Sequence, residues 1–265
     1  MIYSLMKKEL RSNVKLHVVF LSIITMYAIT LVAMYDPTLK DSLKTLEVSM
    51  PTVFAAFGMQ NMGTTLIDFI ITYLYKFVLI VTPFIFSITM CYRLLAKYVE
   101  NGSLFYLLNT KHSRIKIAIT QWLNLMLGLV VLIIFNTILM ILCSAVLFSG
   151  ELDIPKFLLL NFGLLALQIF IAAFCFMFTC IFSEIKYSVG LSGGLIATFI
   201  IMQMLSQVYD NAKILVYCNP LSLFNPQQLA NGNMISIFNM IILWVLSIIC
   251  LLIGLLAFRK KDLSI

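Results

Sequence analysis

Six long apolar runs separated by short polar stretches set the pattern of this chain: 16–34, 66–92, 117–148, 157–182, 189–209 and 235–258. A helix rises 1.5 Å per residue, so about 20 apolar residues cross a hydrocarbon core of about 30 Å, and each run meets that length. The third run exceeds it, which sets its first turns in the membrane interface or beyond. Ahead of the first run, residues 1–15 carry Ile2, Leu5, Met6 and Leu10 on one helical stripe and Lys7, Lys8, Arg11 and Lys15 mostly on the other. This pattern predicts a helix lying in the interface that then turns into the first span. A cleaved leader is disfavoured, because the apolar run is too long and no small-x-small site stands before Asp36-Pro37.

Between the first two runs, Leu39, Leu43 and Leu46 fall at helical spacing, and residues 50–59 form an apolar stretch too short to span, which predicts a half-buried or interfacial segment. Polar residues then interrupt the spans at a few places. Lys76 stands near mid-depth of the second, with Asp68 two turns earlier and Pro83 two turns later. A central Lys costs about 2.5–3.5 kcal/mol on insertion scales, so it faces other helices or water, or snorkels to the nearer headgroups. Pro83 removes a backbone donor and is expected to kink its helix. Gln121, Asn124 and Asn136 in the third span, with Asn161 and Gln168 in the fourth, are the kind of amides that stitch neighbouring helices more often than they bind substrate. Gly190 and Gly194 open the fifth span with a GxxxG spacing that permits close helix contact, and Gln203 and Gln207 stand near its end. In the stretch 210–234, Pro220 and Pro226 rule out a continuous helix. Tight turns are expected at 149–156 and 183–188.

One polar connection, 93–116, is longer than the others on its side. Arg93 and Lys97 end the second span, Glu100-Asn101-Gly102-Ser103 breaks the helix, and Ser103 is placed to cap a new one. Leu104, Leu107 and Leu108 make an apolar stripe on a helix too short to stand alone in water. It needs a surface, which is either the lipid headgroups or a soluble partner.

Composition agrees with this pattern: 62% of residues are hydrophobic and 11% charged, against roughly 25% charged in soluble domains. Charge also orients the chain. Thirteen Lys and Arg (7, 8, 11, 15, 93, 97, 111, 114, 116, 186, 259, 260 and 261) fall on one side and four (40, 44, 156 and 213) on the other, which predicts both termini in the cytoplasm of a multi-pass cell-membrane protein. The net charge of +7 then reflects topology and anionic lipid, with no aromatic-basic surface for nucleic acid. Of six cysteines only Cys218 falls in an external loop, so no external disulfide within the chain is expected, and no Cys/His spacing suggests a metal. His17 and His112 form no HExxH, and neither GxSxG nor GxxxxGK[ST] occurs. Asp68 is the one acid close to a span interior. An intramembrane enzyme or proton-driven carrier should show more ionisable groups, so the chain is read as a non-enzyme whose energy source, if any, lies on another chain.

The order of these features resembles the permease subunits of type-2 ATP-binding-cassette exporters over nearly the whole chain. Met6-Lys7-Lys8-Glu9-Leu10-Arg11 is similar to the family's amino-terminal elbow helix, and the stretch from Met50-Pro51 to Phe57-Gly58 to its external segment before the second span. Glu100-Asn101-Gly102-Ser103-Leu104-Phe105-Tyr106-Leu107-Leu108, closed by Ser113-Arg114, resembles the cytoplasmic coupling loop, departing from it at Lys111, where many members have proline. Asn219-Pro220-Leu221 to Phe224 and the terminal Phe258-Arg259-Lys260-Lys261-Asp262-Leu263 complete the match. The resemblance implies a single all-α permease domain over 1–265: six transmembrane helices, an elbow helix at 1–15, a coupling loop at 93–116 and an external stretch at 210–234. It implies pairing with a second permease, identical or related, and two separate ATPase subunits that hold the ATP and Mg. This chain would carry no cofactor itself. Coupling would fall to Glu100, Gly102, Ser103, Leu104, Leu107, Leu108 and Arg114, and the elbow contacts to Lys7, Lys8, Glu9 and Arg11. The path between permeases would be bordered by the second and fifth spans, near Lys76, Pro83, Gln203 and Gln207.

Met, Phe and amide residues dominate those two spans, which favours a hydrophobic or amphipathic cargo, a membrane-active peptide ahead of a lipophilic drug. Two readings from other classes stand beside this one: a substrate-capturing membrane subunit of a vitamin importer, and a stand-alone immunity or structural membrane protein. The first should lack the elbow and the 100–114 pattern, and both would purify without an ATPase carrying Walker motifs.

Overall fold

In the computed structural model, which describes residues 2–35, 45, 48–57, 65–102, 113–209 and 214–261, every regular element is helical. Six helices are long and apolar enough to cross a membrane: Tyr3–Ala33, Leu66–Glu100, Arg114–Leu147, Ile154–Ile181, Ile185–Val208 and Met234–Lys260. They are the six predicted spans, each extended at one or both ends. Helices answer the bilayer's main demand, since every backbone N–H and C=O is satisfied within the segment.

The first helix departs from expectation. Residues 1–15 were expected to form a separate interfacial elbow followed by a turn, whereas Tyr3–Ala33 is one helix with no break between its basic and apolar parts. The reason is in the packing. Leu5, Glu9, Asn13, Phe20, Ile24, Ala28 and Leu31 are all buried, a single stripe at helical spacing that docks from end to end. No glycine or proline between Leu10 and His17 interrupts it, and Asn13 bonds back to Glu9 O within the helix.

The fourth span, Ile154–Ile181, is the centre: 72% of its most apolar stretch is buried, against 17% for the fifth. It packs against the second, third, fifth and sixth spans. Small side chains allow this, with Ala166, Ala172, Ala173 and Cys175 fully covered. Gly254 of the sixth span lies so close that an added Cβ would stand 3.0 Å from the Met177 backbone. Gly254→Ala should therefore force the two helices apart and lower stability in detergent by about 1 kcal/mol, at the low end of overpacking costs; an unchanged melting temperature would contradict this contact. Gly190 and Gly194 behave differently, because an added Cβ at either would meet nothing within 4 Å. Within the described residues the GxxxG makes no close helix contact.

The connections follow their punctuation. Gly150 at φ +88° turns the chain between the third and fourth spans, and Asp153 caps the latter through Lys156 N. The fourth and fifth spans are joined by three residues. Between the fifth and sixth, prolines divide the chain into Leu215–Cys218, a 3-10 turn at Pro220–Leu223 and Pro226–Ala230. The short helix Pro51–Ala56 packs on the fifth span. All six cysteines are unpaired.

Candidate functional site

The second span is not a regular helix. It runs as α-helix over Leu66–Ile70, widens to a π-helix over Ile71–Tyr75, breaks at Lys76 and Phe77, resumes over Val78–Cys91, widens again over Tyr92–Ala96 and ends at Lys97–Glu100. At the break Phe77 takes φ −135°, ψ −59°, well outside the helical region. Irregular backbone at membrane depth is tolerated where it is buried in protein or lines a cavity, and π segments recur at functional sites.

This break faces the fifth span across a narrow crevice. Lys76, Phe77 and Ile80 lie on one wall, Gln203, Met204 and Gln207 on the other, and Phe57 closes it, its ring edge-on to Phe77 at 4.9 Å. The crevice holds about 10 Å³, room for roughly one water. Among the described residues, buried Gln207 Oε1 has no hydrogen-bond partner. Three of the four residues assigned to the path thus come together. Pro83 does not join them: it is buried on another face of the helix. Seven residues apart on a regular helix would share a face. The off-helix Phe77 between them shifts that register, so Ile80 and Val81 line the crevice instead.

Pro83 has a different structural consequence. Having no N–H, it leaves the carbonyl of Leu79 without its partner four residues on. Gln168 of the fourth span supplies one, its Nε2 donating to Leu79 O at 2.7 Å and to Ile80 O at 3.3 Å. Asn161 joins the same two spans, accepting from Tyr75 OH at 2.8 Å. The fourth-span amides therefore stitch helices as expected. Those of the third show no such bond among the described residues, where Gln121 and Asn136 are buried with no partner and Asn124 donates to Thr120 of its own helix.

A second site lies at the basic end. Glu9 is only 4% exposed, although Lys7, Lys8 and Arg11 around it point outward. Its Oε1 accepts from Tyr98 OH at 2.8 Å, and Arg93 Nη2 donates to Ser12 O at 3.2 Å, so the first helix and the end of the second span are tied together. Between them is a polar cavity of about 520 Å³. The sequence signal that could have marked it is the 5, 9, 13 spacing of Leu5, Glu9 and Asn13, which continues the apolar stripe of the first span.

Of the residues expected to serve coupling, Glu100 ends its short helix exposed, and Gly102 sits at φ +65°, a turn that side-chain-bearing residues resist. Ser103, Leu104, Leu107 and Leu108 lie outside the described residues. Arg114 opens the third span, which Ser113 caps, and its Nη1 donates to Lys261 O at 2.5 Å. Lys261 Nζ in turn donates to Phe182 O at 2.6 Å, a cation on the last carbonyls of the fourth span. Burial there pushes the Lys261 ammonium down to about 8, the nearby Cys180 opposing the shift. No family model and no curated protein matches the chain.

Proposed function

We propose that this chain is the permease subunit of an ATP-driven exporter, working beside a second permease and driven by separate ATPase subunits. The observation that carries the reading is the crevice. Lys76, Gln203 and Gln207 meet where the second span breaks, and these two spans are the ones that the resemblance to type-2 ATP-binding-cassette permeases sets along the path. A cation facing two amides between apolar helices is costly in lipid and useful on a route. The remaining walls, Phe57, Phe77, Ile80 and Met204, suit a hydrophobic or amphipathic cargo, a membrane-active peptide ahead of a lipophilic drug. The crevice within one chain is too small to pass anything, so in this reading cargo moves between the two permeases, along the second and fifth spans, when ATP binding elsewhere drives them apart. In this reading both termini and the 100–114 loop face the cytoplasm, where the ATPase docks.

Two experiments test it. Affinity purification from the native membrane should bring down an ATPase with Walker motifs, and in lipid discs amphipathic helical peptides should stimulate that ATPase. Purification without any ATPase would reject the exporter, and stimulation by glycolipid alone would reject the cargo. Lys76→Met should leave the chain folded and somewhat more stable while transport falls severalfold, because the substitution removes a half-buried cation. Unchanged transport, with a cysteine at 76 reacting as a lipid-facing site, would show that Lys76 merely snorkels.

A further inference from the structure

The cavity at the basic end has two walls of opposite charge. On the first helix stands the buried carboxylate of Glu9, with Asn13, 1% exposed, one turn on. On the second span stand Arg93 and Lys97, with Tyr92 and Tyr98 beside them. These groups share one void and do not neutralise each other, because neither cation comes within ion-pair distance of Glu9; among the described residues the one ion pair is Lys156–Asp153. Glu9 accepts one hydrogen bond within the protein, from Tyr98, of the about four a carboxylate can accept, which leaves capacity for a donor in the cavity it lines. Arg93 has spent one donor of five, on Ser12 O. The void, at about 520 Å³, falls within the roughly 300–1,000 Å³ that small-molecule sites occupy.

A ligand that satisfies both walls must carry an anion and a hydrogen-bonding cation a few bonds apart. We infer that this cavity binds a phosphodiester headgroup with a primary ammonium, that of phosphatidylethanolamine, drawn from the leaflet at the basic end. The phosphate sits on Arg93 and Lys97, where a guanidinium fork fits two phosphate oxygens. The ammonium donates to Glu9. The membrane as source follows from the second span, whose face continues from Lys97 and Arg93 through Thr89 to Ile85, 49% exposed, at successive turns. A headgroup in the cavity thus leads its acyl chains straight onto an apolar helix face. Tyr92 and Tyr98, at the basic end of this span, are of the amphipathic type that collects at membrane interfaces. This assignment is independent of any export activity.

The test is native mass spectrometry of the purified chain released from micelles doped with equal amounts of phosphatidylethanolamine, phosphatidylcholine and phosphatidylglycerol. Ethanolamine lipid should be retained about tenfold over both others, a difference of one charge-assisted hydrogen bond. Choline lipid offers a cation with no N–H, so its preferential retention would replace the hydrogen-bonded ammonium with an aromatic cage and overturn the assignment. Preference for the glycerol lipid would show a plain anion site and overturn it equally. Glu9→Gln keeps the shape and the acceptor for Tyr98, and it should abolish the preference for ethanolamine over glycerol lipid; Arg93→Gln should weaken both. Thermal stabilisation of the unmodified chain by each lipid gives the same ranking without relying on a variant. Soluble glycerophosphoethanolamine should fail to displace the lipid, and displacement at equal concentration would move the ligand from membrane to solution. Equal retention of all three lipids would leave the cavity to a protein side chain and end the proposal.

Discussion

Glu100→Arg should leave this protein inserted and folded yet abolish ATP-driven transport. Glu100 closes the short helix Lys97–Glu100, is exposed, and has no hydrogen bond or ion pair among the described residues. Exposed substitutions of this kind usually change stability by less than about 0.5 kcal/mol. In the proposed function the carboxylate acts on a partner. Asn101 caps the helix end and Gly102 follows at φ +65°, so Glu100 stands at a turn just ahead of the proposed coupling loop. If that loop docks in the ATPase, reversing the corner charge sets like against like across the interface, a penalty of several kcal/mol for close pairs. Transport and ATPase stimulation should vanish together, while expression and melting temperature stay level. Glu100→Gln should give an intermediate loss, since it removes attraction without adding repulsion. Parental transport by the Glu100→Arg variant would mean that coupling does not pass through this corner.

The six spans were legible because length and apolarity alone decide whether a helix can cross a membrane. The breaks were legible as well: Gly102, Pro220 and Pro226 act through local backbone geometry, which needs no tertiary partner. What failed had a tertiary cause. The basic residues 7–15 looked like the polar face of a separate interfacial helix, yet Glu9 and Asn13 turn inward because Tyr98 and the end of the second span receive them. A buried acid in a basic segment carries no signal in composition. The crevice was half legible. Lys76, Gln203 and Gln207 stand out as polar in apolar runs, whereas the break at Phe77, which diverts Pro83 from them, has no glycine or proline to announce it. Aromatic contact between Phe77 and Phe57 across a long connection belongs to the folded state alone.

Gln168 offers the sharpest test of the fold, because one side chain repairs a defect made by another. Proline at 83 deprives Leu79 O of its helical donor at a depth where no water replaces it. Gln168 Nε2 fills that place at 2.7 Å, and Gln168 is fully buried. Polar bonds between membrane helices average only about 0.6 kcal/mol, since the separated helices find other partners. Here the helical donor is missing from the start, and among the described residues Gln168 is the side chain that replaces it. Gln168→Leu should therefore cost about 2–3 kcal/mol, towards the upper limit for orphaning a buried carbonyl. The unpaired Gln168 Oε1, which the substitution also removes, offsets part of this. Pro83→Ala restores an N–H to Leu79 O and makes Gln168 redundant. In the Pro83→Ala background, Gln168→Leu should therefore cost less than about 1 kcal/mol, a coupling that neither single variant reveals. Unfolding the four proteins in mixed detergent micelles measures the cycle. Equal costs in both backgrounds would show that Gln168 acts by packing alone, and that the carbonyl freed by Pro83 is satisfied by something other than this amide.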